Sequence, residues 1–248
     1  MAEEKNAIRL VDITKSFGSV LANNSISLDV RQGEILALLG ENGSGKTTLM
    51  NILSGIYFPD SGTIFVKGEE VTIRSPKNAH ELGIGMIHQH FKLIDVLTAA
   101  ENIVLGLPGS AGLNRRALTR EIREISARYG FDIDPGKKIY NMSVSEKQTV
   151  EIVKLLYRGA DILILDEPTA VLTPQESEKL FKVLRNMKED GKAIVIITHK
   201  LNEVMAVSDR VSILRKGCSV GTVQTSCTNQ QELTDLMVGR SVSLEIDR

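Results

Sequence analysis

Gly40-Glu41-Asn42-Gly43-Ser44-Gly45-Lys46-Thr47 places small residues, one lysine and one hydroxyl in the spacing G-x-x-x-x-G-K-[ST]. That combination suits phosphate oxygens. Glycines let backbone N–H groups approach an anion with no Cβ in the way, and a helix opening behind them adds the positive end of its dipole. Lys46 offers a point charge to the β- and γ-phosphates of a nucleotide, and Thr47 a hydroxyl ligand to Mg²⁺. Two acids stand further along, Asp166-Glu167, after the apolar run Ile162-Leu163-Ile164-Leu165 and before Pro168. The run puts Asp166 at the C-terminal end of a strand, where open α/β sheets bind ligands. Asp166 is expected to hold Mg²⁺ through water. Glu167 is expected to orient, or take a proton from, the water that attacks the γ-phosphate. A positioned base of this kind contributes about 10²–10⁴ in rate.

The elements that must carry these groups are legible in the apolar pattern. Ile35–Leu39, Leu163–Leu165, Ile194–Ile197 and Val211–Leu214 read as strands buried on both faces, with Ile84–Ile87 a weaker fifth. Thr47–Ser54 reads as a helix ended by Gly55. Thr173-Pro174-Gln175-Glu176 is a capping box that opens a helix bearing Leu180, Val183, Leu184 and Met187 and stopped near Gly191. Strands alternating with helices imply a mostly parallel sheet. Ile8–Ile13 and Ser25–Val30 read as an antiparallel pair, with Gly18 and Asn23-Asn24 as turn signals between them. From about Thr98 to Arg158 the alternation breaks. Ala99–Leu105, Arg116–Tyr129 and Ser145–Tyr157 read as helices of an inserted subdomain, with Gly106, Pro108, Gly109 and Gly112 as a flexible joint.

Composition bounds the partners. Thirty basic and 31 acidic side chains leave a net charge of −1, against the basic excess usual in nucleic-acid binders. Aromatic residues are 4% with no Trp, too few for a single-strand stacking platform. Cys218 and Cys227 make neither a disulfide framework nor a CxxC site and read as reduced cytosolic thiols. No run approaches the 18 apolar residues of a membrane span, and Met1–Lys5 is charged where a signal peptide would be apolar. His80, His88 and His90 read as ordinary residues, because no third metal ligand has matching spacing.

Asp166-Glu167-Pro168-Thr169 after its strand, Gln89 ahead of the helical insert, and His199 closing a later strand together resemble the ATP-binding-cassette ATPases. The resemblance runs from about Ile8 to Arg240 and is strongest to bacterial importers of simple sugars and nucleosides, which carry two cassettes in tandem. Gly85–Phe91 and Tyr157–Asp161 look most like the first cassette of the nucleoside branch. The resemblance implies an α/β nucleotide-hydrolase fold: a mostly parallel sheet, an antiparallel β edge region and an inserted helical subdomain over roughly 92–158. One cassette would occupy 1–240, and 241–248 a tail or the start of a linker to a second cassette.

The resemblance also implies roles. Glu167, His199 and Lys46 would be catalytic, with His199 donating to the γ-phosphate. ATP would be held by Gly40 through Thr47, by Thr48 and by Gln89, with Phe17 stacked on adenine; Thr47, Gln89 and Asp166 would meet Mg²⁺. Met142-Ser143-Val144-Ser145-Glu146 stands where the family has Leu-Ser-Gly-Gly-Gln, so Val144 and Ser145 replace two glycines. Ser143 and Glu146 can form a capping box there, and the same exposed helix start is an anion site. In cassettes it faces the partner's γ-phosphate. Thr173 stands where many cassettes place Asp. The implied protein is the ATPase subunit of an importer, peripheral on the cytoplasmic face of the membrane. Its partners would be a second cassette (on the same polypeptide or in a dimer), separate transmembrane permease subunits and, indirectly, a solute-binding protein, with no nucleic acid. The alternative is a soluble cassette of translation or DNA repair. Against it stand the neutral charge and the 97 positions from Lys46 to Ser143, which hold no heptad run.

Overall fold

The computed structural model describes residues 5–89, 91–107 and 114–239 of the 248. Pro108, Gly109 and Gly112 of the expected joint, His90, and the segment from Arg240 onward lie outside them.

Six strands form the central sheet, in the order β10-β9-β3-β8-β7-β6. They are β3 (Ile35–Leu39), β6 (Ile84–Ile87), β7 (Ile162–Asp166), β8 (Ala193–Thr198), β9 (Arg210–Arg215) and β10 (Cys218–Gln224). The pairs β3·β8, β3·β9, β6·β7 and β7·β8 are parallel, and β10 runs antiparallel on the edge beside β9. All five runs expected to be buried are strands, each extended at most by a residue or two. Their alternation assigns the faces. Ile162 and Ile164 point into one apolar cluster with Leu49, Met50 and Leu53, while Leu163 and Leu165 point into another with Leu180, Leu184 and Met187.

The first cluster is closed by a second, four-stranded antiparallel sheet in the order β2-β1-β4-β5: β1 (Asn6–Phe17), β2 (Val20–Arg31), β4 (Ser61–Val66) and β5 (Glu69–Val71). The expected antiparallel pair is there, but longer, and its turn is at Gly18 alone. Asn23 and Asn24 lie inside β2. Asn23 is buried and gives its amide Nδ2 to the Gly45 carbonyl at 3.1 Å, so its polarity serves a tertiary bond rather than a turn. β4, β5 and β10 carried no signal in the sequence reading.

Helices cover the central sheet: α1 (Lys46–Leu53), α2 (Pro76–Glu81), α6 (Pro174–Glu189), α7 (Leu201–Val207) and α8 (Gln230–Val238). The Thr173–Glu176 capping box is formed in both directions. Between β6 and β7, α3 (Ala99–Val104), α4 (Arg115–Tyr129) and α5 (Val144–Tyr157) share their own apolar cluster of Ala99, Ile103, Leu118, Ile122, Val150 and Val153. Among the described residues no helix is long and apolar enough to cross a membrane.

Candidate functional site

The C-terminal ends of β3, β7 and β8 meet at one cleft of about 520 Å³. Asn42, Gly43, Gly45, Lys46, Thr47 and Thr48 form one wall; Gln89, Asp166, Glu167, Ile197 and His199 form the other, and Val20, Leu21 and Ala22 close an end. Residues as far apart as Lys46 and His199 converge because β3 pairs with β8, and β8 with β7, in parallel register. Parallel strands deliver all their C-terminal ends to the same edge.

The loop after β3 is wrapped tightly around its own lysine. Lys46 is 6% exposed, and its Nζ donates to the carbonyls of Gly40 at 2.6 Å and Glu41 at 2.9 Å. Two glycines make that wrapping possible. A Cβ on Gly40 would stand 2.5 Å from Ser44 Oγ and closer still to the Leu214 carbonyl. Gly45 caps α1 in the left-handed region at φ 98, and a Cβ there would meet Asn23 Nδ2 at 2.6 Å. Gly40, Glu41 and Ser44 therefore shape the loop from behind the cleft wall. The Ser44 hydroxyl is buried with no hydrogen-bond partner among the described residues, which fits a loop made to meet an oxygen-rich ligand.

Charges across the cleft perturb one another. Burial pulls the Lys46 ammonium below its usual range, with Glu167 and Asp166 opposing. Burial pushes the Asp166 carboxyl up, the neighbouring Glu167 charge adds to this, and Lys46 opposes it. A cation bound beside Asp166 would favour its ionised form, which burial and Glu167 disfavour. Thr47, Gln89 and Asp166 together fit Mg²⁺, which keeps several waters and takes one or two carboxylates beside phosphate oxygens. Among the described residues no group of three His, Cys, Asp or Glu could hold a metal ion.

Glu167 is the strained member. Its φ of 49° lies in the left-handed region, at an expected cost of about 1 kcal/mol for a non-glycine residue. The conformation turns the chain off the end of β7, and its N–H still bonds the Ile197 carbonyl at 2.9 Å. Its Oε1 lies 2.6 Å from His199 Nδ1. An acid and an imidazole in contact, beside a cation and a phosphate-shaped loop, can position a water and stabilise charge on a transferring phosphoryl group.

Phe17 is not on the cleft wall. It ends β1 opposite Val20, which is on the wall, and its half-exposed ring packs edge-on against Tyr57 at 5.1 Å with the Lys15 ammonium 5.4 Å from its centre. Ser143, Ser145 and Glu146 line a separate groove of about 740 Å³ with Lys179 and Leu172, away from Lys46. The capping box between Ser143 and Glu146 is formed, and Lys137 holds Glu146 at 2.6 Å. Val144 is exposed on the same turn. Two residues to which the sequence assigns no site role bind the cleft together: Asn23, expected as a turn residue and found under Gly45, and Gln148, whose Nε2 donates to the Pro168 carbonyl at 2.7 Å. Neither role shows in the sequence, because long-range bonding to a loop has no periodic signal.

The ABC transporter family profile matches residues 23–170. The nucleoside import ATP-binding protein NupA of Lactococcus lactis subsp. cremoris is 51% identical over 98% of this chain and 48% of its own length. The guanosine import ATP-binding protein NupO of Bacillus subtilis is 51% identical over 97% of this chain and 48% of its own. The ribose import ATP-binding protein RbsA 1 of Streptomyces avermitilis is 45% identical over 100% of this chain and 48% of its own. The chain thus spans about half the length of the curated relatives it matches. In fold it superimposes on the ADP conformation of MJ1267, an ATP-binding cassette of an ABC transporter, with a TM-score of 0.81 at 23% identity over 94% of this chain and 95% of that one. A family profile that covers more than half of the chain, and relatives 45–51% identical along nearly all of it, place the chain in the ABC transporter family, as an ATP-binding cassette.

Proposed function

We propose that this chain binds and hydrolyses ATP to power the import of a nucleoside or simple sugar through separate membrane subunits. The observation that carries the reading is the single cleft that gathers Lys46, Thr47, Gln89, Asp166, Glu167 and His199. The nucleotide phosphates lie in the loop from Gly40 to Thr47, with Thr48 behind them, and Lys46 leaves its loop carbonyls for the β- and γ-oxygens. Mg²⁺, when bound with the nucleotide, offsets phosphate charge; Thr47, Gln89 and Asp166 would hold it. Glu167 orients the attacking water and His199 supports it from the side. Phe17 meets the adenine at the Val20 end. Ser143 and the backbone N–H groups after it face the nucleotide of a second cassette, which fits their position on a groove remote from Lys46.

The single cassette over 1–240, with its helical part at roughly 92–158 and a tail or the start of a linker over 241–248, belongs to the same reading. The half-length match to relatives supports a second cassette in the whole protein. Membrane subunits and a solute-binding protein follow from import. A place on the cytoplasmic face of the membrane follows from contact with those subunits. Nucleosides lead the solute classes because both 51%-identical relatives carry them in their names.

Uptake of labelled nucleosides and of labelled ribose, compared between cells with and without the gene, tests the reading. Loss of uptake of one solute class, restored by the intact gene and not by a Glu167→Gln copy, is expected. Undiminished uptake of both classes would overturn it.

A further inference from the structure

We propose that Glu203 is a positioning residue that sets Glu167 and His199 against each other. The proposal rests on the ATPase reading above and adds to it a residue outside the cleft. β7 ends at Asp166 and β8 at Thr198, and the last backbone bond between them runs from the Glu167 N–H to the Ile197 carbonyl at 2.9 Å, so strand pairing holds the Glu167 main chain but fixes neither His199 nor the Glu167 side chain. Beyond that point something else must fix their separation of 2.6 Å.

Glu203 is placed to do so. It sits in the first turn of α7, and its side chain is 12% exposed. One carboxylate oxygen accepts from the hydroxyl of Thr169, two residues past Glu167. The other accepts from the hydroxyl of Thr198 at 3.4 Å, immediately before His199. Lys200 closes the cluster. Its Nζ lies 3.1 Å from Glu203 and donates to the Thr169 carbonyl at 3.0 Å, while its N–H donates to Thr198 Oγ1 at 3.0 Å. Thr169 and Thr198 are each 2% exposed. The loop bearing Glu167 and the strand end bearing His199 are thus tied to a single, mostly covered carboxylate.

An ion pair whose lysine is 39% exposed is a poor source of stability, since solvent screens its attraction and two long side chains must be ordered. Its benefit is geometric: it admits one arrangement of its partners. Small misplacements of catalytic groups are costly in rate, about 10² for 1 Å. Glu203 touches neither the nucleotide wall nor the Glu167–His199 pair, so removing it should alter turnover and leave nucleotide capture intact.

The test uses the full chain in three forms, wild type, Glu203→Ala and Glu203→Gln. ATP affinity is read by calorimetry, hydrolysis by steady-state kinetics, and the His199 ring by spectra of ¹⁵N-histidine-labelled protein, assigned with His199→Gln. Glu203→Ala is expected to keep ATP affinity and KM within about twofold, to lower kcat about tenfold, and to weaken the hydrogen-bonded Nδ1–H signal of His199. Glu203→Gln retains a carbonyl acceptor and should recover most of the rate and of the signal; it decides the matter where the alanine form does not fold. A kcat within twofold of wild type, or a lowered kcat with the His199 signal unchanged, overturns the proposal. Lys46→Ala and Glu167→Gln serve as controls. If both hydrolyse ATP normally, the ATPase reading fails, and the His199 signal alone then decides the role of Glu203.

Discussion

Glu167 and His199, 32 positions apart in sequence, meet at 2.6 Å through Oε1 and Nδ1 where the parallel strands β7 and β8 end. The contact holds the Glu167 carboxyl and the His199 ring against each other at the edge of the cleft. Replacing Glu167 by Gln keeps the side chain's shape and removes its basicity. ATP affinity should stay within a few-fold of wild type while hydrolysis drops by about 10²–10⁴, the range of a lost positioned base. Calorimetry beside a phosphate-release assay checks both halves; near-normal hydrolysis would remove Glu167 from the chemistry.

Lys46 is held by two carbonyls of its own loop, and in the ATPase proposed above it exchanges them for phosphate oxygens. Its removal deletes a charge-assisted hydrogen bond, worth about 1.5–3 kcal/mol. Lys46→Ala should therefore weaken ATP binding at least tenfold in a calorimetric titration. Unchanged affinity would place the phosphates elsewhere.

Gly45 joins a positive φ of 98° to a backbone approach that leaves no room for a Cβ. Gly45→Ala should cost about 2–4 kcal/mol through strain and displacement of Asn23. Gly43 also has positive φ, 79°, but nothing lies within 4 Å of the place its Cβ would take. Gly43→Ala should cost only about 1 kcal/mol, the penalty of the conformation itself. Chemical denaturation of the two variants separates conformational cost from crowding.

Asp166 pays for its position in the folded state. Its carboxyl is pushed up, mainly by burial and then by Glu167, so the folded protein holds that proton more tightly than the unfolded chain. Below the unfolded carboxyl's range both states are protonated and the cost is absent. It builds as pH rises through the interval between unfolded and folded values and stays constant above it. Asp166→Asn should accordingly raise the melting temperature of nucleotide-free protein at pH 7 and lose that advantage towards pH 3. The same substitution should weaken the stabilisation that Mg²⁺ and ATP give the wild type.

Much of this was legible in the chain, for identifiable reasons. β3, β6, β7, β8 and β9 lie between packed layers, so their buried residues are almost all apolar, Ser212 of β9 being an exception, and the runs stand out. The loop from Gly40 to Thr47 and the pair Asp166-Glu167 were legible because phosphate chemistry tolerates few alternatives there. β4 was not, because Ser61-Gly62-Thr63 gives its first half no apolar period and only Ile64 and Val66 are buried. Asn23-Asn24 misled because amide side chains favour turns unless a distant partner, here Gly45, claims them. Gln148 and Glu203 were invisible for the same reason: their importance lies in the carbonyl of Pro168 and the hydroxyls of Thr169 and Thr198, which only folding brings near.

β3 is flanked by β8 and β9, whose residues follow it in the chain by more than 150 positions. During synthesis the glycine loop and Lys46 therefore leave the ribosome long before either neighbour of their strand exists. Until residues 193–215 emerge, β3 presents two unpaired edges and a wholly apolar surface. The antiparallel sheet of β1, β2, β4 and β5 has no such delay, because all its partners lie within the first 71 residues. A polypeptide truncated before β8 would consequently be able to form the small sheet, yet would have nucleotide-loop residues with nowhere to dock. Such fragments should accumulate as chaperone-bound or aggregated species rather than as weak ATP binders.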